Sequence, residues 1–256
     1  MEKTILLLTD FVGSGDVAMS TARTVLTRLG HRVLCLPTAL ISHTWNLGAP
    51  AQLDTTEYLK QTLSLWEGQS LDGVLLGYVA SDAQAAYLAE QCGRWHGAGV
   101  KVFLDPIFAD NGALYRGITR ERVELMKGLL PLADFVLPNQ TETEFLTGQT
   151  EPLAALERLR ELGVGTPLIT GAQWEGESAV YLRDDAGPHI LPYPLLPGSF
   201  SGAGDVFTAL FTGYVLSDKP PLEAASTALR TTRTWLLRSL QDPHTSVGLP
   251  VERYFE

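Results

Sequence analysis

The sequence predicts an α/β protein built on a central, mostly parallel sheet with helices on both faces. Short apolar strands alternate with longer amphipathic helices along the chain, which is the signature of parallel strands joined by helical crossovers. Its 256 residues suffice for one substantial core, so residues 1–256 are expected to form a single domain. Polar residues cluster directly after the apolar runs, where open parallel sheets bind ligands.

The elements follow in order. Ile5–Leu8 is an unbroken aliphatic run and the first strand, and Val17–Leu29 follows with apolar residues at three and four spacing on one face. Arg32–Leu36 is the second strand. The stretch from Pro37 to Leu53 lacks clear periodicity, carries His43, Thr44, Trp45, Asn46 and Gly48, and reads as a mobile loop able to cover a site. Helix Thr55–Trp66, strand Gly73–Leu76, helix Ala83–Trp95 and strand Val100–Leu104 continue the alternation, followed by helix Arg120–Leu130 and strand Phe135–Leu137. Two helices, Thr141–Thr147 and Pro152–Leu162, precede strand Leu168–Thr170. Ala179–Leu182 and His189–Tyr193 flank Asp184-Asp185-Ala186-Gly187 and read as an antiparallel hairpin. Helices Asp205–Leu216 and Leu222–Leu240 complete the chain.

Composition narrows the partners. A formal net charge of −10 and a pI near 5.0 argue against a nucleic-acid surface, which needs clustered Lys and Arg. Cys35 and Cys92 are too few for a disulfide framework and have no metal spacing, which fits a reducing, cytoplasmic setting. The start, Met1 to Leu8, lacks the form of a secretory leader. No apolar run reaches membrane-spanning length, so no membrane partner is expected.

The residues after the strands are chemically unusual. Thr9-Asp10 and Gly13-Ser14-Gly15-Asp16 follow the first strand, Gly77-Tyr78-Val79-Ala80-Ser81 the third, and Asp105-Pro106 the fourth. Pro138-Asn139-Gln140-Thr141-Glu142 follows the fifth and Gly171 the sixth. The run from Gly198 to Phe207 places Asp205 behind a glycine-rich turn that opens an apolar helix. Backbone N–H groups around Gly202 and Gly204 can converge there on an oxyanion at the positive helix end. A carboxylate beside bound phosphate makes chemical sense as the acceptor of a proton from an attacking hydroxyl. An ordinary loop with an acid in the first helical turn fits the same residues. Asn139 and Glu142, three apart at a helix start, can organise a hard cation with waters and phosphate oxygens, or can simply cap the helix. Asp105 before Pro106 can orient a metal-bound water or merely end a strand.

Other patterns carry less. Gly13-Ser14-Gly15-Asp16 lacks the full dinucleotide fingerprint, which disfavours a nicotinamide oxidoreductase, and no Walker-type phosphate loop occurs. His31, His96, His189 and His244 read as surface or cap residues, whereas His43 lies in the odd loop and is a ligand-contact candidate. Trp66, Trp95, Trp174 and Trp235 read as core or partial-core fillers, and Arg230, Arg233 and Arg238 as a solvated basic helix side.

Taken together, Asp105-Pro106, Asn139-Gln140-Thr141-Glu142 and Gly202-Ala203-Gly204-Asp205 occur in the order and spacing of ribokinase-like small-molecule kinases. Within these, Gly77 to Ser81, the His43-Thr44 loop, Asp105-Pro106 followed by Gly112 and Tyr115, and the closing Tyr254-Phe255 resemble pyridoxal kinases. The resemblance spans essentially the whole chain. It implies a ribokinase-like fold without a separate lid domain, a homodimer, and ATP with Mg2+ as phosphate donor, with a monovalent cation such as K+ also allowed.

By the same resemblance, Asp205 would be the base for the 5′-hydroxyl of pyridoxal, and Gly202, Ala203 and Gly204 would form the anion hole with it. Asn139 and Glu142 would organise the metal and its waters, with Asp105 near the phosphates. Thr170 and the stretch Gly198, Ser199, Phe200 and Ser201 would line the nucleotide. Asp10, His43, Thr44 and Tyr78 would surround the substrate ring. Two positions depart from the pattern. Asp10 stands where pyridoxal kinases carry Ser, and an ionised acid only accepts hydrogen bonds where a hydroxyl does both. Thr170-Gly171 stands where some relatives carry Lys. The alternatives are a kinase for another small alcohol, such as a hydroxymethylpyrimidine or a sugar, and a catalytically silent nucleotide-binding protein.

Overall fold

The computed structural model describes residues 2–197, 200–242 and 248–255. The chain forms two compact units, Met1–Leu75 with Leu196–Glu256, and Leu76–Leu195. Among the described residues most strands belong to a nine-stranded sheet.

In the first unit β1 (Thr4–Val12) buries Ile5, Leu6, Leu7 and Leu8 almost completely, as an interior parallel strand must. After α1 (Ala18–Arg28), β2 (Arg32–Ile41) pairs parallel with β1 from Thr4↔Arg32 to Thr9↔Pro37. The register then shifts, and pairing resumes at Phe11↔Leu40 and Val12↔Ile41. This shift corrects two expectations. Thr9 and Asp10 lie inside β1, not after it, and the stretch from Pro37 to Leu53 is not one loop. Its first residues complete β2 and its last enter β3 (Gln52–Asp54), which returns antiparallel with Leu40↔Leu53. Pro37, which reads as a strand end, pairs with Thr9 inside β2 at the edge of the irregularity. Ser42 to Ala51 remain as the connection, with one 3-10 turn at Trp45–Leu47. Then come α2 (Thr56–Leu65) and β4 (Gly73–Leu76).

The second unit continues with α3 (Asp82–Gly97), N-capped by the Ser81 hydroxyl, and β5 (Lys101–Leu104). A two-stranded ribbon, β6 (Ala109–Asp110) and β7 (Ala113–Leu114), is too short to be legible as an alternation. Next are α4 (Arg120–Lys127), β8 (Phe135–Val136), α5 (Gln140–Thr147) and α6 (Pro152–Glu161). Strands β9 (Thr166–Trp174), β10 (Glu177–Asp184) and β11 (Gly187–Tyr193) close the unit. β5, β8 and β9 pair parallel, and Phe103 stacks on Phe135 across them at 4.7 Å. β10 and β11 form the expected hairpin, with Asp184 opposite Gly187. β9 also pairs antiparallel with β10 and extends beyond Thr170, so Gly171 lies within the strand, at φ +68°.

The chain returns to the first unit through α7 (Ala203–Leu216) and α8 (Pro221–Ser239). α7 packs against both α1 and α8. Every residue from Val206 to Gly213 is buried, as expected of a helix apolar all round. His31 is a correction, since it is buried and its Nε2 meets the Gly213 carbonyl at 3.0 Å. The basic side of α8 is only partly solvated. Arg230 is exposed, but Arg233 is half-buried and the Arg238 guanidinium donates to the Tyr254 carbonyl at 3.1 Å. Four of the five tryptophans are fillers as expected, with Trp235 buried and Trp66, Trp95 and Trp174 half-buried. Among the described residues no helix is long and apolar enough to cross a membrane.

Candidate active site

In the first unit the turn before α7 gives Asp205 its setting. Gly202 is the N-cap, at φ +83°, a left-handed conformation that favours glycine. A Cβ there would sit 3.0 Å from the Asp16 carbonyl oxygen and 3.2 Å from Val17 Cγ1. Ala203 and Gly204 occupy the first turn, where backbone N–H groups have no partner within the helix. Asp205 is half-buried, and its Oδ2 accepts the Ala18 N–H at 2.8 Å. One carboxylate oxygen is thereby held by the backbone of α1. Ala18 carries no sequence signal of this role. It is buried, opens α1, and holds φ +49° without being glycine, a strained conformation that no local pattern announces. Phe200 and Ser201 are half-buried, and Phe200 accepts the Ala203 N–H at 3.3 Å. Gly198 and Ser199 lie outside the described residues.

Asp10 is half-buried beside the register shift of β1. Burial raises its pKa above the ordinary carboxylate value, while a 3.1 Å hydrogen bond from the Thr9 hydroxyl pulls it back down. His43 is half-buried, with Nδ1 2.9 Å from the Ser42 hydroxyl. Thr44 is half-buried too, and its Oγ1 is enclosed with no hydrogen-bond partner among the described residues.

In the second unit the capping interpretation of Asn139 and Glu142 is realised in full. Asn139 Oδ1 accepts the Glu142 N–H at 2.9 Å, and Glu142 Oε2 accepts the Asn139 N–H at 2.9 Å, a reciprocal capping box at the start of α5. Glu142 Oε1 takes the Phe108 N–H at 3.1 Å and lies 3.5 Å from the Ala109 N–H. Asn139 Nδ2 donates to the Ala109 carbonyl at 2.8 Å. The pair therefore clamps the segment that follows Asp105 onto α5. Glu142 is buried, and burial with the nearby negative charge of Asp105 holds its pKa well above the ordinary value. Asp105 is half-buried at the end of β5 and donates its N–H to the Leu76 carbonyl at 2.8 Å. Thr170 meets this cluster from β9, its N–H on the Pro138 carbonyl at 2.9 Å and its backbone bridged to Asn139. Asp105, Asn139, Glu142 and Thr170 are thus brought together.

Oxygen-rich donors of this kind suit a hard cation. Among the described residues, however, no group of three His, Cys, Asp or Glu side chains is placed to hold a metal ion. Glu142 and Asn139 already bond to backbone, so they fit a cation only through its water shell, with Asp105 half-buried close to Glu142.

Tyr78 is half-buried in the segment after β4. Arg122 fixes that segment and was not singled out from sequence. From α4 its guanidinium donates to the Val79 carbonyl at 2.7 Å and to Asp82 Oδ1 at 2.5 Å. An arginine on an amphipathic helix gives no sequence signal of such a role.

A family model described as phosphomethylpyrimidine kinase matches residues 25–248. A pyridoxal kinase of Rubrobacter xylanophilus is 32% identical over 242 residues, 87% of this chain and 82% of the relative. The crystal structure of pyridoxal kinase from Lactobacillus plantarum superimposes with a TM-score of 0.89 at 28% identity, covering 98% of this chain and 95% of that one. The pyridoxal kinase from Leishmania donovani in complex with ADP and pyridoxamine superimposes at 0.86 with 22% identity, covering 99% and 94%, a likeness of fold.

Proposed function

This chain belongs to the pyridoxal kinase family, within the group matched by the phosphomethylpyrimidine kinase model, and on that premise we propose that Asp205 is its catalytic base. The chain is an ATP-dependent kinase that phosphorylates pyridoxal or a related B6 vitamer, as its family membership implies. The ADP bound by the Leishmania donovani enzyme supports a nucleotide as the phosphate donor. The single observation that carries the mechanism is the Asp205 carboxylate, anchored by the Ala18 N–H behind the Gly202 turn.

In that mechanism the substrate hydroxyl oxygen attacks the γ-phosphorus, and its proton passes to Asp205 as the bond to the leaving ADP oxygen breaks. The N–H groups of Gly204 and Asp205 in the first α7 turn stabilise charge on the transferring phosphoryl oxygens, with the Ala203 N–H held by the Phe200 carbonyl. A bound magnesium ion would neutralise phosphate charge, with Asp105 close to it and Asn139 and Glu142 holding its waters. We assign Thr170, Phe200 and Ser201 to the nucleotide, and Asp10, His43, Thr44 and Tyr78 to the substrate ring. The enclosed, unpartnered Thr44 hydroxyl supports a ligand partner at that position.

Purified protein given Mg-ATP and pyridoxal, pyridoxine, pyridoxamine or hydroxymethylpyrimidine is expected to turn over a B6 vitamer. Phosphorylation of the pyrimidine alone would replace this reading with a second, favoured by the description of the matching family model. No turnover with any of them would leave a silent nucleotide-binding protein.

The whole chain is proposed to act as one cytoplasmic kinase domain and as a homodimer. The exposed apolar side chains Leu40, Leu53 and Tyr58 support the dimer. They lie on or beside the edge strand β3, and unmated apolar surface of that kind marks an interface. Leu53→Asp is expected to shift the protein to a monomer in sedimentation velocity, and an unchanged dimer would remove this surface from the interface.

A further inference from the structure

The anchor of Asp205 itself rests on the end of the chain. Asp16, Val17 and Ala18 form the turn that presents the Ala18 N–H to Asp205. Against Asp16 lies Gly248, bridged to it in parallel, and the Leu249 N–H donates to the Asp16 carbonyl at 3.2 Å. Gly248 takes φ +92°, and a Cβ built there would fall 2.2 Å from the Asp16 carbonyl oxygen and 2.6 Å from its carbon. Those are backbone atoms, so no side-chain rotation relieves the overlap. The start of α7 also approaches the Asp16 carbonyl, though less closely, since a Cβ built at Gly202 would lie 3.0 Å from the same oxygen.

Beyond Gly248 the segment is held firmly. Leu249 and Val251 are buried, and the Tyr254 carbonyl accepts from Arg238. The Phe255 ring packs against Trp235 at 4.6 Å, with the Arg28 guanidinium 5.6 Å from its centroid.

We propose that Gly248 is a positioning residue for the catalytic base, allowing the C-terminal segment to press on Asp16 and so fix the turn whose Ala18 N–H orients Asp205. The proposal rests on the reading of Asp205 as the base. Gly248 acts only through Asp16 and Ala18, so its loss changes how the carboxylate is aimed, not how the nucleotide binds.

The test compares full-length Gly248→Ala and Phe255→Ala with the wild type, after far-UV circular dichroism confirms folding. Gly248→Ala is expected to lower kcat by about tenfold to a hundredfold, the scale of a small misplacement of a reacting group. Its KM for ATP is expected to stay within about twofold, because uniform nucleotide binding is not touched. Phe255→Ala loosens the far end of the segment and is expected to lower kcat in the same direction by less. Unchanged kcat in the folded variants, or a KM for ATP that rises as far as kcat falls, overturns the proposal. If Gly248→Ala does not fold, the Phe255→Ala split decides alone. Asp205→Asn in parallel separates the two ideas. Turnover retained there removes the base assignment and this proposal together, whereas an inactive Asp205→Asn beside a fully active Gly248→Ala removes only the role of Gly248.

Discussion

Asp205→Asn is expected to lose turnover by about 10²–10⁴-fold, the usual contribution of a positioned general base. The substitution keeps an oxygen able to accept the Ala18 N–H, so the turn before α7 and the fold are expected to survive. ATP binding measured by calorimetry should stay near the wild-type affinity. The first α7 turn binds phosphate through backbone groups, and removing a negative charge beside them does not weaken that attraction. Turnover close to the wild-type rate would show that the proton leaves by another route.

Glu142→Ala is expected to act first on stability. Its carboxylate is buried and satisfies the Asn139 and Phe108 N–H groups. Orphaning the buried Phe108 donor and the part-buried Asn139 donor costs at most about 1–3 kcal/mol each, so a loss of up to about 2–6 kcal/mol is expected. For a chain of this size that lowers the Tm by roughly 5–20 °C in a calorimetric scan without metal. Glu142→Gln retains one acceptor oxygen and should fall between the two. A Tm unchanged without metal, with only the magnesium dependence of activity altered, would show that Glu142 serves the cation and not the backbone. The two substitutions differ in kind because Asp205 accepts a backbone N–H at a helix start, whereas buried Glu142 ties the start of α5 to the Phe108–Ala109 segment.

Much of the fold was legible. Ile5–Leu8 and Gly73–Leu76 read as strands because unbroken aliphatic runs bounded by polar residues have few other solutions, and α7 read as a helix from its length and apolar content. Boundaries were less legible where a local breaker misled. Pro37 suggested that β2 ended early, and Thr170-Gly171 suggested the same for β9. In both cases pairing with a neighbouring strand carried the ladder past the breaker. His31 looked like a surface residue because a lone histidine after a helix usually is one. It is buried because α7 crosses at that point and supplies a carbonyl.

The site was legible in its residue types but not in its wiring. Asn139 and Glu142 at three spacing allowed both a cap and a metal site, and only the positions of Phe108 and Ala109 show that their polar atoms already serve the backbone. The sequence by itself determined the alternation of strand and helix and the glycine turn before Asp205, because periodicity and turn chemistry act over a few neighbouring residues. Tertiary structure alone decided what each acid touches. Ala18 and Asp205 are 187 residues apart, and Gly248 reaches Asp16 from the far end of the chain. Such contacts arise when separate segments compete for one packed space, and short-range spacing holds no record of which segment occupies it.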